Sequence, residues 1–228
     1  MENKKQLAAE LLNYITAQMN MEPHRSVQEN KTVPKTNQEE NMKEKTDQEE
    51  LLQAEEELAG CTECQLAENR TQVVFGQGDT SARIMVVGEA PGAREDEQGL
   101  PFVGPSGKLL RGGFEKVGLE EEDIYITNVV KCRPPNNRDP KSEELASCRS
   151  VLDRQLELID PEVILTVGNF GLRYFLGEDK NITSARGEVY TWEERPLVPT
   201  YHPGYILRNR TQADSFVGDL KLAADQLK

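Results

Sequence analysis

The sequence predicts an α/β fold with three layers, in which helices cover both faces of a central, mostly parallel, four-stranded sheet. Two observations carry this prediction. Short apolar runs alternate with longer segments of helical periodicity through most of the chain after Cys61. In addition, a loop rich in glycine and proline follows the first apolar run, where open parallel sheets place their ligands. A helical and disordered N-terminal extension is expected to precede this domain.

Four apolar runs are the candidate strands. In the first of them, four apolar residues follow one another, as in a short strand that is buried on both faces. The predicted strands are Ile84–Val87, Ile124–Asn128, Val163–Val167 and Leu197–Thr200. The predicted helices of the domain are Gly107–Val117, Ser142–Ile159, Phe170–Leu176 and Ala213–Lys228. This alternation favours parallel strands that are joined by crossover helices.

The N-terminal part of the chain differs in composition from the rest. Apolar residues recur at helical spacing over Gln6–Met19, which is either a partner-docking element or a partly ordered tail, and the short stripe favours the tail. Glu22–Thr46 has almost no large apolar residues, so we expect it to be disordered. Asp47–Leu58 is predicted to be a second helix. We therefore divide the chain into an N-terminal helix with an acidic tether, 1–46, and a folded domain, 47–228.

The net charge limits the ways in which this chain can bind nucleic acid. The 228 residues carry a formal charge of −13, and residues 1–60 hold 13 of the 40 acidic and 7 of the 27 basic side chains. The rest is therefore acidic too, and contact with nucleic acid requires a local basic patch. No apolar run is long enough for a membrane helix, and no signal peptide is recognisable. We expect a cytoplasmic monomer that does not bind membranes.

The loop after the first strand contains four glycines, three prolines, four carboxylates and the aromatic Phe102. Loops of this length are uncommon in compact domains unless they are functional. Gly88–Gly92 reads GEAPG, which is not a dinucleotide-binding motif. Leu109 follows Gly107-Lys108 where a nucleoside triphosphatase needs serine or threonine to hold Mg²⁺. These departures argue against both classes of nucleotide-binding protein.

The chain has four cysteines, and their spacing indicates a metal site. Cys61 and Cys64 form a close pair, whereas Cys132 and Cys148 are fifteen residues apart. Two disulfides are the least supported alternative because no secretion signal is present. Four thiolates suit a structural zinc site and a 4Fe–4S cluster equally well, and four buried free thiols also remain open.

Polar residues follow the second and the last predicted strands. Asn128 can present a donor and an acceptor to one ligand edge, although a lone asparagine is more often a cap. Lys131, Arg133 and Arg138 form a basic island that suits either phosphates or the thiolates of a cluster. Of the two histidines, His24 lies in the segment predicted to be disordered. His202 is therefore the only serious candidate for imidazole chemistry.

The segment after His202 combines apolar and basic residues. Ile206 and Leu207 lie beside Arg208 and Arg210. An apolar wedge flanked by phosphate-binding arginines is what a protein needs to enter a base stack.

Four motifs in this order, together with the four cysteines, resemble the family 4 uracil-DNA glycosylases. The motifs are GEAPG at 88–92, GLPFVG at 99–104, TNVVKCRPPNNR at 127–138 and HPGYILRN at 202–209. The resemblance covers about Leu58 to Lys228. It implies a monofunctional base excision repair enzyme that flips deoxyuridine out of DNA and hydrolyses its N-glycosidic bond. It also implies a 4Fe–4S cluster held by Cys61, Cys64, Cys132 and Cys148.

The resemblance further implies roles within one pocket. Phe102 stacks on the uracil face, Asn128 pairs with the uracil edge, and His202 donates to uracil O2. The backbone at Gly88, Ala90 and Gly92 lines the sugar side. Ile206 and Leu207 fill the space that the base leaves, and the expected phosphate contacts are Arg208 and Lys108.

The group that would activate water differs from that of the best-known uracil-DNA glycosylases, which have an aspartate at the position of Ala90. If the bond breaks dissociatively, a carboxylate need only stabilise an oxocarbenium-like sugar. Glu89 and Glu95 are the candidates, although solvated loop charge also explains them.

The alternative function is a catalytically silent nucleic-acid-binding domain with a structural metal. The expected partners of the enzyme are uracil-containing DNA and, through the N-terminal helix, a protein involved in replication or repair.

Overall fold

The computed structural model describes residues 38–227, with side chains from residue 46 onward. The predicted helix Gln6–Met19 lies outside the described residues, as does most of the segment predicted to be disordered. Within the described part, the three-layer α/β prediction is confirmed.

The described strands form one sheet of five, which is one more than predicted. They are β1 (Ile84–Gly88), β2 (Ile124–Asn128), β3 (Val163–Val167), β4 (Tyr190–Trp192) and β5 (Arg195–Thr200). Their order across the sheet is β2-β1-β3-β5-β4. The four predicted strands are parallel to one another, and β4 pairs antiparallel to β5.

The additional strand β4 lies at the edge of the sheet. It has only three residues, and a turn through Glu193 and Glu194 connects it to β5. Both turn residues have a left-handed backbone, with φ of 47° and 68°. Hairpin turns of this kind normally carry Asn-Gly or Asp-Gly, so a pair of glutamates does not signal a turn in the sequence.

Helices pack on both faces of the sheet. They are α1 (Gln38–Ala59), α2 (Ala93–Gln98), α3 (Pro105–Val117), α4 (Ser142–Ile159), α5 (Asn169–Leu176), α6 (Ile182–Ala185), α7 (Pro203–Arg208) and α8 (Ala213–Ala224). Alternate residues of β1 belong to two separate cores. Ile84 and Val86 pack with α3 and α8, whereas Met85 and Val87 pack with α1 and α4. This is the alternation that a strand buried on both faces requires.

Helix α1 begins earlier than the sequence predicts. It starts at Gln38, so the prediction of disorder for Glu22–Thr46 is wrong from Gln38 onward. The residues from Gln38 to Thr46 are mostly Glu, Lys and Gln, which are strong helix formers even without an apolar stripe. The helix packs against α4 and contributes Leu51 and Leu58 to the core.

The topology creates a crevice at the carboxyl end of β1. The chain passes from β1 to β2 on one side and then crosses to β3 on the other, so the strand order reverses at β1. Ligands bind at such reversal points in open α/β sheets.

Among residues 38–227, none of the helices combines the length and the apolar character that a membrane span requires.

Candidate functional site

A cavity of about 370 Å³ opens at the carboxyl ends of β1 and β2. Eight of the predicted site residues line it: Glu89, Ala90, Gly92, Glu95, Phe102, Asn128, His202 and Arg208. Lining residues that the sequence analysis did not assign to the site are Pro91, Ser106, Pro134, Asn137, Arg138 and Gly204. Three segments that are distant in sequence, 89–106, 128–138 and 202–208, therefore form one cavity.

Asn128 is the last residue of β2 and is only 2 % exposed. Its Oδ1 atom is buried and has no hydrogen-bond partner among the described residues. Buried polar atoms are nearly always paired, so an unpaired oxygen beside a cavity indicates a missing donor. The neighbouring strand residue is Gly88, where a Cβ atom would lie 2.4 Å from Asn128 Oδ1. Only glycine at position 88 leaves room for this oxygen where it lies.

The Phe102 ring forms an apolar wall of the same cavity. Its backbone is left-handed, with φ of 51°, which is unusual for a bulky residue. A Cβ atom at Gly88 would lie 2.8 Å from Phe102 Cζ, and one at Gly107 would lie 1.5 Å from the Phe102 carbonyl oxygen. Two glycines are therefore needed to admit this loop conformation and this ring position.

Glu95 supports the Phe102 loop from α2, a helix that the sequence analysis did not predict. Its Oε1 atom accepts hydrogen bonds from the main-chain N–H groups of Val103 (3.0 Å) and Gly104 (2.9 Å). Gly104 is the N-cap of α3. The carboxylate thus joins α2 to the start of α3 across the loop that carries Phe102.

His202 caps the N-terminus of α7. Its Nδ1 atom accepts a hydrogen bond from the Gly204 N–H at 3.0 Å. A neutral imidazole with an acceptor at Nδ1 carries its proton on Nε2. Burial, together with the positive charge of Arg208, lowers the pKa of His202 to about 4. The ring is therefore a neutral hydrogen-bond donor at physiological pH.

Glu89 follows β1 directly and lies in the cavity wall. Burial, with a smaller contribution from the negative charge of Asp139, raises the pKa of this carboxyl to about 7. Its main-chain carbonyl accepts a hydrogen bond from the Val130 N–H at 3.0 Å. Glu89 can therefore change its ionisation state near neutral pH from a fixed position.

Arg138 belongs to the site as a lining residue. Its Nη1 and Nη2 atoms donate to the two carboxylate oxygens of Glu144, at 2.8 and 2.6 Å. Glu144 is 0 % exposed, and the hydrogen bonds from Arg138 lower its pKa. This ion pair fixes the guanidinium at the rim. The sequence signal was the basic island, which did not reveal this partner.

Lys131 is not on the surface, so the expectation that it could bind phosphate is wrong for this residue, whereas its charge does act on the Cys148 thiol, as the alternative expectation had it. It is fully buried, and its Nζ atom donates to Thr127 Oγ1, Gln155 Oε1 and the Asn128 carbonyl oxygen. Burial lowers its pKa to about 7. The lysine therefore links the end of β2 to α4.

The predicted DNA-binding residues differ in their positions. Ile206 is 0 % exposed within the core, so its side chain is not available as a wedge in this structure. Leu207 is half-buried against the same core, and Arg208 is exposed. Lys108 is half-buried in α3 and does not line the cavity.

All four cysteines are free thiols, and three of them meet in one apolar cluster. Cys132 and Cys148 are buried there with Leu66 and Val130, and Cys64 packs against them. Arg70 Nη1 donates to Cys132 Sγ at 3.4 Å. Burial raises the pKa of Cys132 to about 11. The described residues contain no set of three or more His, Cys, Asp or Glu side chains already arranged to hold a metal ion.

Comparison with known proteins gives consistent matches. The family model of the uracil DNA glycosylase superfamily matches residues 75–222. The chain is 48% identical over 158 residues to a type-4 uracil-DNA glycosylase of Thermotoga maritima, covering 68% of this chain and 82% of that protein. A type-4 uracil-DNA glycosylase of Archaeoglobus fulgidus is 42% identical over 173 residues, covering 72% and 87%. That of Sulfurisphaera tokodaii is 46% identical over 168 residues, covering 70% and 76%.

Proposed function

The chain belongs to the type-4 uracil-DNA glycosylases of the uracil-DNA glycosylase superfamily, and from this premise we propose that it releases uracil from DNA. A deoxyuridine is flipped into the cavity, and its N-glycosidic bond is hydrolysed to leave an abasic site. The observation that carries this proposal is the buried, unpaired Oδ1 atom of Asn128 beside an aromatic wall.

Asn128 would select uracil by its hydrogen-bonding edge. Uracil N3 carries a hydrogen and can donate to the unpaired Oδ1, while the side-chain NH₂ group donates to uracil O4. Cytosine has an acceptor at N3 and a donor at the neighbouring position, so both contacts would be mismatched. Leaving such buried groups unpaired costs ~1–3 kcal/mol each, which is enough to exclude cytosine.

Phe102 would hold the flat face of the base. The ring is 6 % exposed and is held by its left-handed backbone and by the close approach of Gly88. An aromatic ring fixed in this way stacks on a planar base with little loss of side-chain entropy on binding.

His202 would stabilise the leaving group. When the N1–C1′ bond breaks, its electron pair stays with uracil, and negative charge gathers on O2. The neutral imidazole donates its Nε2–H to this oxygen, and Nδ1 is held by the Gly204 N–H. A preorganised donor of this kind is typically worth ~10²–10³ in rate.

Glu89 would stabilise the positive charge that develops on the sugar. The ionised carboxylate faces the cavity, where the adjacent Ala90 has no group that could act as a base. A water molecule adds to C1′, and its proton passes to Glu89 or to solvent. The raised pKa of Glu89, about 7, lets the same group stabilise charge and accept this proton.

Glu95 would act by positioning Phe102. With Glu89, it is one of the two catalytic candidates in the sequence, but its Oε1 atom already accepts hydrogen bonds from two main-chain N–H groups. We therefore propose that it fixes the Phe102 loop and does not stabilise the sugar directly.

The DNA backbone would bind at the rim, where Arg208 and Arg138 line the cavity. This local charge is needed because the chain as a whole carries −13. Arg138 is presented by Glu144 and so needs no ordering on binding.

The cysteines fit a 4Fe–4S cluster by their chemistry. They are four unpaired thiols, and Cys64, Cys132 and Cys148 meet around Leu66 and Val130. Arg70 donates to the Cys132 sulfur, as suits a thiolate ligand. Cys61, Cys64, Cys132 and Cys148 would hold the cluster, which when bound supplies a structural cross-link between the segment after α1 and the start of α4.

We also propose that residues 47–228 form the glycosylase domain and that residues 1–46 are an extension that recruits a protein partner. The packing of α1 on α4 through Leu51 and Leu58 supports a domain that begins before the cysteines. We propose that the enzyme acts as a monomer.

A uracil-containing oligonucleotide tests the function. After incubation with the full chain and then alkali, we expect strand scission at the uracil, and no scission of the same strand with thymine. Binding without scission would overturn the enzymatic proposal and favour the catalytically silent nucleic-acid-binding domain. Gly218→Ala is a matched control protein, since a Cβ atom there meets nothing within 4 Å.

A further inference from the structure

The three consecutive apolar residues of α7 differ in exposure. Ile206 is 0 % exposed, and Leu207 is half-buried against the core. Tyr205 is 37 % exposed. Within this helix, which is described in full, Tyr205 is therefore the large apolar side chain that faces solvent.

We propose that Tyr205 is the side chain that enters the base stack when deoxyuridine is flipped out, an inference that rests on the proposed function. It takes the role that the sequence analysis assigned to Ile206 and Leu207. Tyr205 lies beside the cavity because Gly204 and Arg208, its neighbours along α7, both line it. Its N–H also donates to the His202 carbonyl at 2.8 Å.

The Tyr205 ring is supported from behind by a second aromatic ring. Its centroid lies 4.8 Å from that of Tyr201, with an angle of 35° between the two planes. Tyr201 is buried, and the guanidinium of Arg186 lies over its ring at 5.5 Å. A ring with this support resists being pushed back when it meets a base stack.

The support continues into the core through an ion pair. Arg186 Nε donates to Asp219 Oδ2 at 2.8 Å, and Asp219 is buried in α8. Asp219 also accepts a hydrogen bond from Thr200 Oγ1 at 2.8 Å. These contacts connect Asp219 to Tyr205 through Arg186 and Tyr201. Since Thr200, Tyr201 and His202 are consecutive, the same contacts also hold the segment that carries His202. The position of the wedge is thereby tied to the position of the imidazole.

The chemistry of a phenol ring suits this task. A flipped nucleotide leaves a gap whose upper and lower walls are the flat faces of neighbouring bases, and an aromatic ring can stack on both. Arg208 and Arg210 are exposed on either side of the following turn and can contact the flanking phosphates. Stacking of this kind is worth roughly 10- to 100-fold in binding or rate.

Duplex and single-stranded substrates separate this role from a merely structural one. A single strand has no base stack to refill, so its uracil does not need the wedge. We expect Tyr205→Ala to lower the single-turnover rate on a uracil-containing duplex by about 10- to 100-fold. On the same strand without its complement, the change should be less than about threefold, whereas Tyr205→Phe keeps the ring and most of the duplex rate.

The controls distinguish the possible failures. Leu52→Ala removes an exposed apolar side chain from α1 and should change neither rate. The inference is overturned if Tyr205→Ala slows both substrates equally or slows neither. It is also overturned if Leu207→Ala alone shows the duplex-specific loss. If the unmodified chain releases no uracil from either substrate, the proposed function itself fails, and that outcome is distinct from the others.

Discussion

The ring centroids of Phe102 and His202 lie 5.8 Å apart, with an angle of 34° between the planes. One residue follows β1 and the other follows β5, and β3 separates these strands in the sheet. The two side chains meet because parallel strands end at the same edge of a sheet. An apolar wall for a base and a donor for its oxygen are thus brought into one cavity.

Replacing Asn128 with leucine separates recognition from stability. Leucine has a similar shape but removes the buried oxygen that lacks a partner. We expect uracil release to fall by about 100-fold or more, because two hydrogen bonds to the base are lost. The free energy of unfolding should stay constant or rise by about 1 kcal/mol. Single-turnover kinetics and urea unfolding measure the two effects, and a strongly destabilised variant would show that the oxygen has a partner within the fold.

Gly88→Ala should abolish base binding while the fold is retained. The added Cβ atom would lie 2.4 Å from Asn128 Oδ1 and 2.8 Å from Phe102 Cζ, so both side chains must move. A shift of about 1 Å at a reacting centre can cost ~10²-fold in rate. Gly218→Ala in α8 is the control, since it has no close neighbour. Equal rates for the two variants would exclude the proposed uracil pocket.

The rate of uracil release should rise with pH through about 7, the pKa of Glu89. Only the ionised carboxylate stabilises the sugar cation, and its fraction increases about tenfold between pH 6 and pH 8. His202 contributes no change in this range because its pKa is about 4. Glu89→Gln should be slower and independent of pH. A wild-type profile that is flat from pH 6 to pH 8 would remove Glu89 from the mechanism.

Stability measurements check the same pKa without the reaction. The folded state holds the Glu89 proton more tightly than the unfolded chain, since the pKa rises from 4.5 to about 7 on burial. The contribution of Glu89 to the free energy of unfolding therefore falls as the pH rises between these values. Glu89→Gln should gain roughly 1–2 kcal/mol relative to wild type over this interval, after solvent screening is allowed for.

Glu95→Gln and Glu95→Ala distinguish positioning from charge stabilisation. Glutamine retains a carbonyl oxygen that can accept from the Val103 and Gly104 N–H groups, so most of the activity should remain. Alanine leaves both donors unpaired, and we expect about a tenfold slower reaction and a loss of about 1–2 kcal/mol in stability. If glutamine is as inactive as alanine in single-turnover assays, the negative charge of Glu95 is required directly.

The purified chain should be brown, with absorbance near 400 nm and about four irons per chain. Cys148→Ala should lose this absorbance because it removes one of the four proposed cluster ligands. It should also lower the melting temperature, because the Cys148 side chain is buried among Leu66, Val130 and Cys132. Ser215→Ala changes a half-buried residue of α8, leaves all four cysteines in place and should keep the absorbance, so it is the control. A colourless protein that contains zinc would replace the iron–sulfur assignment with a structural zinc site.

Elements with a strong apolar pattern could be predicted, and short helices without such a pattern could not. β2, β3 and α4 have the predicted bounds because continuous apolar runs or a long helical stripe mark them. The six-residue helix α2 has no such stripe, and contacts such as those of Glu95 with the next loop stabilise it. Short helices depend on tertiary contacts in this way, since their own nucleation is unfavourable.

The direction of individual side chains was the least predictable part of the site. Ile206 and Tyr205 are adjacent and both apolar, yet one is in the core and the other faces solvent. Lys131 reads as a surface charge, but three buried oxygen acceptors hold it inside. These outcomes depend on how α7 and α4 pack against the sheet, which no local pattern encodes.

The parallel sheet, the glycine-rich loop after its first strand and the order of Phe102, Asn128, His202 and the four cysteines can all be read from the amino-acid pattern. The unpaired oxygen of Asn128, the hydrogen bonds of Glu95 to the Phe102 loop and the outward orientation of Tyr205 become visible only in the folded chain. The reason is physical: apolar periodicity is a property of neighbouring residues, whereas hydrogen-bond partners and exposure are set by segments that meet only after the chain has folded.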